Sequence, residues 1–459
     1  MGTYSERLAD FAVTLKYESI PAEIVSKAKL HLLDSIGIAF ASGTEPFAKS
    51  LGEASKSLVG LQQSTIFGSK RLSSCENAVL VNGALIHGID YDDTHIPAII
   101  HPSAVVVPTV LACGEARKIS GKTALEAIIL GYELITRLGL AAGGKFHDRG
   151  FHATPLCGTF AAAVVAGKIR GGTSSQMVNA MGICGSQGGG IQQFLTDGTW
   201  IKKLHPGWAA HSGVIADLLA SQDFTGPSEV FEGHLGFYAA YLGLENCKVN
   251  LVSEGLGEVW ETLRISIKPY PSCHFTHSFI DCVLSLKKEH KIDWQDVKSV
   301  NCRISPRGAL IICEPIEKRR KVTTPYGGRF SLPYTVAVAL VEGRVGLEQF
   351  YDRYLSDPRI VSTAALVDFT KDEELSKEVS HFPGDVTIEM KNGKRYHRVQ
   401  PYERGSIENP LPENEVKQKF EENLAQAGIS NKKRAEEIIH IIDHFEKAKS
   451  LDKLTALLR

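Results

Sequence analysis

Between residues 104 and 221 the chain repeats one pattern: 104–118, 122–140, 155–169, 174–186 and 207–221 each place apolar residues at helical spacing and are rich in Ala, Gly, Leu and Val. Small residues such as Gly158, Ala161, Ala162 and Ala163 let helix backbones approach closely. The pattern predicts a helical core packed against other helices. Upstream, Pro21 suits a helix start, and Ile24, Ala28, Leu32, Ile36 and Phe40 recur at helical spacing until Gly43. Ser74 is expected to cap a further helix running through Ala78, Val79, Val81, Leu85 and Ile86.

The period changes near Arg264-Ile265-Ser266-Ile267-Lys268, which alternates like a strand, and Val297 to Ile304 alternates again. Val386 to Met390 and Arg395 to Val399 flank Lys391-Asn392-Gly393-Lys394, and Asn-Gly between alternating runs is a strong hairpin signal. After Asn409-Pro410-Leu411-Pro412 helix returns, with Ile438, Ile441, Ile442 and Phe445 on one face. The expected fold is mainly α with an α+β second domain. Residues 1–265 and 403–459 form the large all-helical domain, and 266–402 form the smaller α+β one.

Composition narrows the function. Lys+Arg 51 against Asp+Glu 52 leaves no global field for nucleic acid or an anionic membrane, so an anion site must be built from a few placed cations. The nine cysteines are scattered without a C-x-x-C pair, which argues for a reducing compartment and against a zinc ribbon or a clustered iron–sulfur motif. No secretory signal and no apolar run near eighteen residues is found, and a cytoplasmic location is expected.

Chemistry concentrates in His87-Gly88-Ile89-Asp90-Tyr91-Asp92-Asp93-Thr94-His95, followed by His101-Pro102-Ser103. So many proton-transfer groups beside an apolar segment are costly unless used, although a solvated, capped helix-to-loop junction is the plain alternative. His152, in Gly150-Phe151-His152-Ala153-Thr154-Pro155, precedes a helix start, where amides favour an anion. Lys202-Lys203-Leu204-His205-Pro206-Gly207-Trp208 places a lysine pair among apolar residues, so one is expected to point inward. The run Gly188-Gly189-Gly190 before it is a poor phosphate loop. Lys268-Pro269-Tyr270-Pro271 lies at the domain boundary, and Tyr334 by default is a core tyrosine with a satisfied hydroxyl. A calcium loop and a zincin helix fail on spacing, and a metal site from Asp90, Asp93, His95 and His101 has little support.

Asn82-Gly83-Ala84, Asp90-Tyr91-Asp92-Asp93-Thr94-His95, His101-Pro102-Ser103-Ala104, Gly150-Phe151-His152, Lys202 to Ala210, Lys268-Pro269-Tyr270-Pro271 and Asn409-Pro410-Leu411 together resemble the MmgE/PrpD family, in order from about residue 24 to 420. That family includes 2-methylcitrate dehydratase, cis-aconitate decarboxylase and iminodisuccinate epimerase. The resemblance implies a large helical domain, a smaller α+β domain closing over it, a homodimer, and chemistry without a metal or other cofactor. Carried over by motif, Asp90, His101, His152 and Lys202 are the expected catalytic residues, and Thr94, Lys268 and Tyr334 the expected substrate-binding ones. Between Asp90 and His101 the chain is one residue longer than the decarboxylase pattern, and Lys203 stands where that branch carries proline.

These activities share one difficulty, charge developing on a carbon next to a carboxylate. His101 is the leading general acid/base, Asp90 orients it or another group, and His152 is the second proton carrier. Lys202 and Lys268, with protonated imidazoles, are expected to supply cations for a di- or tricarboxylate, and Thr94 and Tyr334 to add hydrogen bonds. Dehydration of 2-methylcitrate type is the first expectation, with decarboxylation or epimerisation next. A non-catalytic helical dimer that binds small molecules is the alternative of another class.

Overall fold

The computed structural model describes residues 2–58, 60–376 and 381–459. The chain divides into two compact units, one of residues 1–88, 92–265 and 412–459, the other of residues 89–91 and 266–411. The smaller unit thus takes residues 403–411 and a short piece of the acidic stretch, 89–91.

The larger unit is built on helices α1 (Ala22–Ser42), α2 (Cys75–His87), α3 (Ser103–Arg117), α4 (Gly121–Ala142), α5 (Ala153–Arg170), α6 (Ser174–Cys184) and α7 (Ile201–Ala220). Every residue of α5 from Ala153 to Gly167 is buried, as a helix without a polar face must be, and α3, α4, α6 and α7 pack around it. Its hydroxyls are satisfied locally: Thr159 donates to the Pro155 carbonyl, and Thr154 accepts from the His101 amide. The C-terminal helices Glu413–Gln426 and Lys432–Asp443 return to this unit, and the first lies against α1. Pro21 and Gly43 bound α1 as expected, whereas Ser74 precedes α2 without a side-chain capping bond.

The crossing of α2 and α7 decides where the chemistry sits. Gly83 and Gly207 face each other there: a Cβ on Gly83 would lie 2.6 Å from the Gly207 Cα, and one on Gly207 would overlap the carbonyl oxygen of Leu80. With no side chain between the backbones, the end of α2, at His87, and the first turns of α7, with Lys202 and His205, are drawn into one layer. The outward face of α7 carries Ile201, Leu204, Trp208, Ile215, Leu218 and Leu219, all at least partly exposed. Among the described residues, no helix is long and apolar enough to cross a membrane.

The smaller unit holds a four-stranded sheet, in order β2-β1-β3-β4, of β1 (Val297–Ile304), β2 (Val367–Lys371), β3 (Gly384–Met390) and β4 (Arg395–Gln400). β2 runs parallel to β1, and the remaining pairs are antiparallel. The hairpin expected around Asn392-Gly393 is present, with Gly393 at φ 83°. Helix α8 (His277–His290) covers β3 and β4, and α9 (Leu332–Glu342) packs against α8. The strand expected at 264–268 shrinks to Ile265–Ser266. Residues 265–268 are all buried, so the apparent alternation belongs to a connector enclosed on both sides.

Gly207→Ala should lower unfolding stability by at least about 2 kcal/mol, because two backbones must separate. Gly52→Ala, at a helical position with nothing near its Cβ, should leave stability unchanged or raise it by up to about 1 kcal/mol. Urea midpoints of the two variants test this, and equal midpoints would show that the crossing is not tightly packed.

Candidate active site

Four imidazoles gather in the larger unit. His87 ends α2, His101 precedes α3, His152 stands just ahead of α5, and His205 lies one turn after Lys202 on α7. Ring centroids are 4.9 Å apart for His87 and His101, 5.5 Å for His87 and His152, 6.1 Å for His101 and His152, and 5.4 Å for His152 and His205. Phe194 sets its ring edge-on to His152 and His205 and walls one side.

The Nδ1 atoms of these rings are engaged. The Asp93 carbonyl accepts from His101 Nδ1 at 2.7 Å, and a carbonyl cannot donate, so His101 carries a proton on Nδ1 and Nε2 is the nitrogen through which the ring can take up or give a proton. Thr94 Oγ1 stands 3.4 Å from the same nitrogen. Asp92 Oδ2 lies 2.7 Å from His87 Nδ1 and 3.8 Å from His101 Nδ1. Asp92 is therefore a carboxylate beside both His87 and His101. His152 Nδ1 and His205 Nδ1 are 3.1 Å apart, so one donates and the other accepts, which requires at least one neutral ring.

Burial pushes the His152 imidazole well below its usual range, and His205, His87, Lys202 and His101 add to the shift. Burial, with His87 and Lys202, likewise lowers His205 to about 4. At neutral pH these two rings are lone-pair donors rather than cations, and the positive charge expected of protonated imidazoles falls to lysine. Both Lys202 and Lys203 are buried, not one alone. Lys202 acts electrostatically on His152, while Lys203 sets its ammonium 4.4 Å from the centre of the Phe47 ring.

A second layer holds the His101 loop. Asp93 is fully enclosed; burial pushes its carboxyl up, but His31 at 2.7 Å and the Ser103 amide and hydroxyl outweigh it, and the carboxyl titrates below its usual value. Ser103 Oγ also meets Tyr132 Oη at 2.6 Å. The loop between Thr94 and His101 closes through a His95 amide bond to the Ile100 carbonyl at 2.8 Å. Ile99 takes φ 53° in it, a strained conformation for a β-branched residue.

The other expected residues lie in the smaller unit. Lys268, 1% exposed, donates to the Asp90 carbonyl at 3.0 Å and to Asp90 Oδ2 at 3.3 Å, and Asp90 is held at φ 54°. Tyr334 is a core residue whose hydroxyl donates to the Gln349 carbonyl, so a substrate contact there requires that bond to break. The carboxylates and imidazoles of the weak metal reading disperse: His95 pairs with Glu261, Asp93 with His31, and Asp90 with Lys268. All nine cysteines are free thiols.

Residues 6–250 match the MmgE/PrpD N-terminal domain and residues 270–444 the MmgE/PrpD C-terminal domain. The chain is 26% identical to cis-aconitate decarboxylase of Aspergillus terreus, over all of this chain and 96% of that protein. It is 25% identical to cis-aconitate decarboxylase of Mus musculus, over 99% of this chain and 93% of that protein. The same name and identity hold for the Homo sapiens relative, over 97% of this chain and 92% of that protein.

The bond to the Asp93 carbonyl fixes a tautomer that NMR reads directly. Long-range proton–nitrogen spectra of the wild type at pH 8 should show His101 protonated on Nδ1 and bare on Nε2, assigned by loss of the signal in His101→Asn. The opposite tautomer would mean that the loop is held differently.

Proposed function

The chain belongs to the MmgE/PrpD family, and on that premise we propose that it is a lyase that needs no bound cofactor and acts on a small di- or tricarboxylic acid through charge formed next to a carboxylate. The observation that carries this reading is His101 and His152, edge to face at 6.1 Å, with the His101 tautomer fixed and the Lys202 ammonium acting on His152.

His101 Nε2 takes or returns the proton on carbon, and His152 serves the second proton position. Lys202 holds a substrate carboxylate and stabilises the enediolate-like charge, contributing about 3–4 kcal/mol as a well-placed donor does. Thr94 positions His101 or donates to substrate. Asp90 and Lys268 act as a pair, the Lys268 ammonium donating to both the carbonyl and the carboxylate of Asp90. In dehydration, the carbon-bound proton passes to His101, the electron pair forms the double bond, and the hydroxide leaves as water with a proton returned by the protonated His101 or taken from solvent, because His152, neutral at rest, accepts a proton rather than giving one. In decarboxylation, carbon dioxide departs and the carbanion left behind takes a proton.

Full-length likeness to decarboxylases makes cis-aconitate the first acid to test. The longer loop before His101 and the buried Lys203 support 2-methylcitrate-type dehydration as the second reading, and iminodisuccinate-type epimerisation is the third. A panel of di- and tricarboxylates in deuterated water, followed by proton NMR, separates them. Decarboxylation places deuterium where carbon dioxide left, with bicarbonate rising in step, whereas dehydration or epimerisation exchanges the hydrogen beside the carboxylate. No turnover across the panel, with saturable binding, would instead favour the non-catalytic binding protein.

His101→Asn and Lys202→Ala should each lower turnover by at least about a hundredfold with the fold intact. Turnover should survive dialysis against a chelator, and a loss restored by a divalent ion would overturn the cofactor-free reading. We also propose a homodimer through the outward face of α7, because its run of exposed apolar side chains carries no charge to repel a second copy. Light scattering should give twice the 50.0 kDa chain mass for the wild type and the single-chain mass for Trp208→Glu. A monomeric wild type would remove the proposal.

A further inference from the structure

Proton-transfer roles account for His101 and His152 but leave His87 unused, although its ring sits 4.9 Å from one and 5.5 Å from the other. We propose that His87, His101 and His152 form a binding site for one divalent transition-metal ion of the zinc class, and that the ion, when bound, switches the reaction off. The inhibitory half rests on the reading of this cluster as the active site.

Each of the three residues offers one ligand atom, and all three atoms lie within 4.8 Å of one another. Among the described residues no other group of three His, Cys, Asp or Glu gathers as closely. Four-coordinate zinc with bonds of about 2.0–2.1 Å to nitrogen needs ligand atoms about 3.3 Å apart, so the rings must draw in by roughly 1.5 Å at most. Three imidazoles without thiolate suit zinc, cobalt, nickel or copper and do not suit magnesium or calcium.

The surroundings match those of metal-bound histidines. A ligating imidazole characteristically donates its other N–H to a carboxylate or a backbone carbonyl, which fixes the ring and raises its basicity. His87 does so to Asp92 at 2.7 Å, and His101 to the Asp93 carbonyl at 2.7 Å. His152 shares its Nδ1 bond with His205 at 3.1 Å, so all three rings are held through the same nitrogen, and Nε2 is the coordinating atom. Charge works in both directions. Asp92 stands 2.7 Å from one ring and 3.8 Å from another and favours a cation, whereas the Lys202 ammonium, close enough to act on His152, opposes it. Lys202 thus keeps the affinity moderate. An ion on His101 Nε2 occupies the lone pair that would take the substrate proton, so metal and turnover exclude each other.

Cobalt(II) chloride titrated into chelator-treated full-length protein tests the site, because four- or five-coordinate cobalt absorbs visibly whether or not a substrate is known. One ion per chain is expected, displaceable by zinc. His87→Ala should weaken binding by at least about a hundredfold and Asp92→Asn by about ten- to hundredfold. Lys202→Met should strengthen it several-fold, a sign that a merely structural role would not produce. His397→Ala, in the hairpin of the other unit, should bind like the wild type. If circular dichroism shows His87→Ala misfolded, His152→Gln reads the same loss of a ligand. Turnover should fall in proportion to occupancy and return on chelation.

Absence of cobalt binding up to about millimolar concentration, or binding indifferent to both His87→Ala and His152→Gln, would overturn the site. Turnover that rises with occupancy would overturn the inhibitory half. A protein inactive on every acid still gives the spectral titration, so failure of the functional reading and failure of the metal site are told apart.

Discussion

Two glycines without side chains between them set where the end of α2 meets the start of α7 in the larger unit. Gly83 on α2 and Gly207 on α7 bring the helix backbones into contact, and a methyl group at either position would meet main-chain atoms. Helices normally pack about 8–10 Å apart because side chains stand between them. Here the closer approach carries His87 at the end of one helix toward Lys202 and His205 at the start of the other. The same α7 turns an apolar face outward, so the helix that holds the lysine is also the one that a second copy would steady. Chemistry and packing are therefore coupled through one backbone contact.

The second constraint is a buried carboxylate. Enclosing an ionised Asp93 is unfavourable unless donors replace its water, and His31 with the amide and hydroxyl of Ser103 supply them. Once held, its own carbonyl can accept only from a ring nitrogen that carries hydrogen, which commits His101 to one tautomer. The anchoring reaches further back, where Asp34 on α1 pairs with Lys419 at 2.7 Å and burial pushes Asp34 to about 6. Asp93 thus acts through position rather than by touching substrate.

Much of this was legible in the chain, and the exceptions have physical causes. The helical segments between 104 and 221 and the hairpin at Asn392-Gly393 follow from period and turn chemistry, which are local. The strand expected at 264–268 shortens to Ile265–Ser266, because alternation in a short run does not reveal burial on both sides. The family motifs point to His101, His152 and Lys202, and the first two lie together in the larger unit. His205 stands in the Lys202 motif, three residues on along a helix, a spacing that places both on one face and is the signal for it in the sequence. Asp92, given no role by the sequence, lies beside His101, and Asp90 pairs with Lys268 where the chain turns left-handed at φ 54° and passes into the smaller unit. Sequence counts carboxylates but does not show which way a tight turn sends them. Ser74 has the composition of a cap without making the bond.

The gathering of four rings explains why burial matters more here than charge. Protonating His152 or His205 would place a cation in buried surroundings against Lys202 and neighbouring rings. The resting site therefore stores lone pairs, and lysine alone supplies permanent positive charge. Such a site meets an anion poorly through its neutral rings but well through lysine, and on the proposed function a substrate carboxylate would be drawn toward lysine with the carbon beside it facing imidazole. The order of those contacts is set by side-chain chemistry: lysine offers three donors and no acceptor, and a neutral ring offers one of each. The same lone pairs that make the rings bases make them ligands, so a cluster tuned to take a proton from carbon is equally open to a metal ion, and the nearby ammonium is what tips that competition toward chemistry.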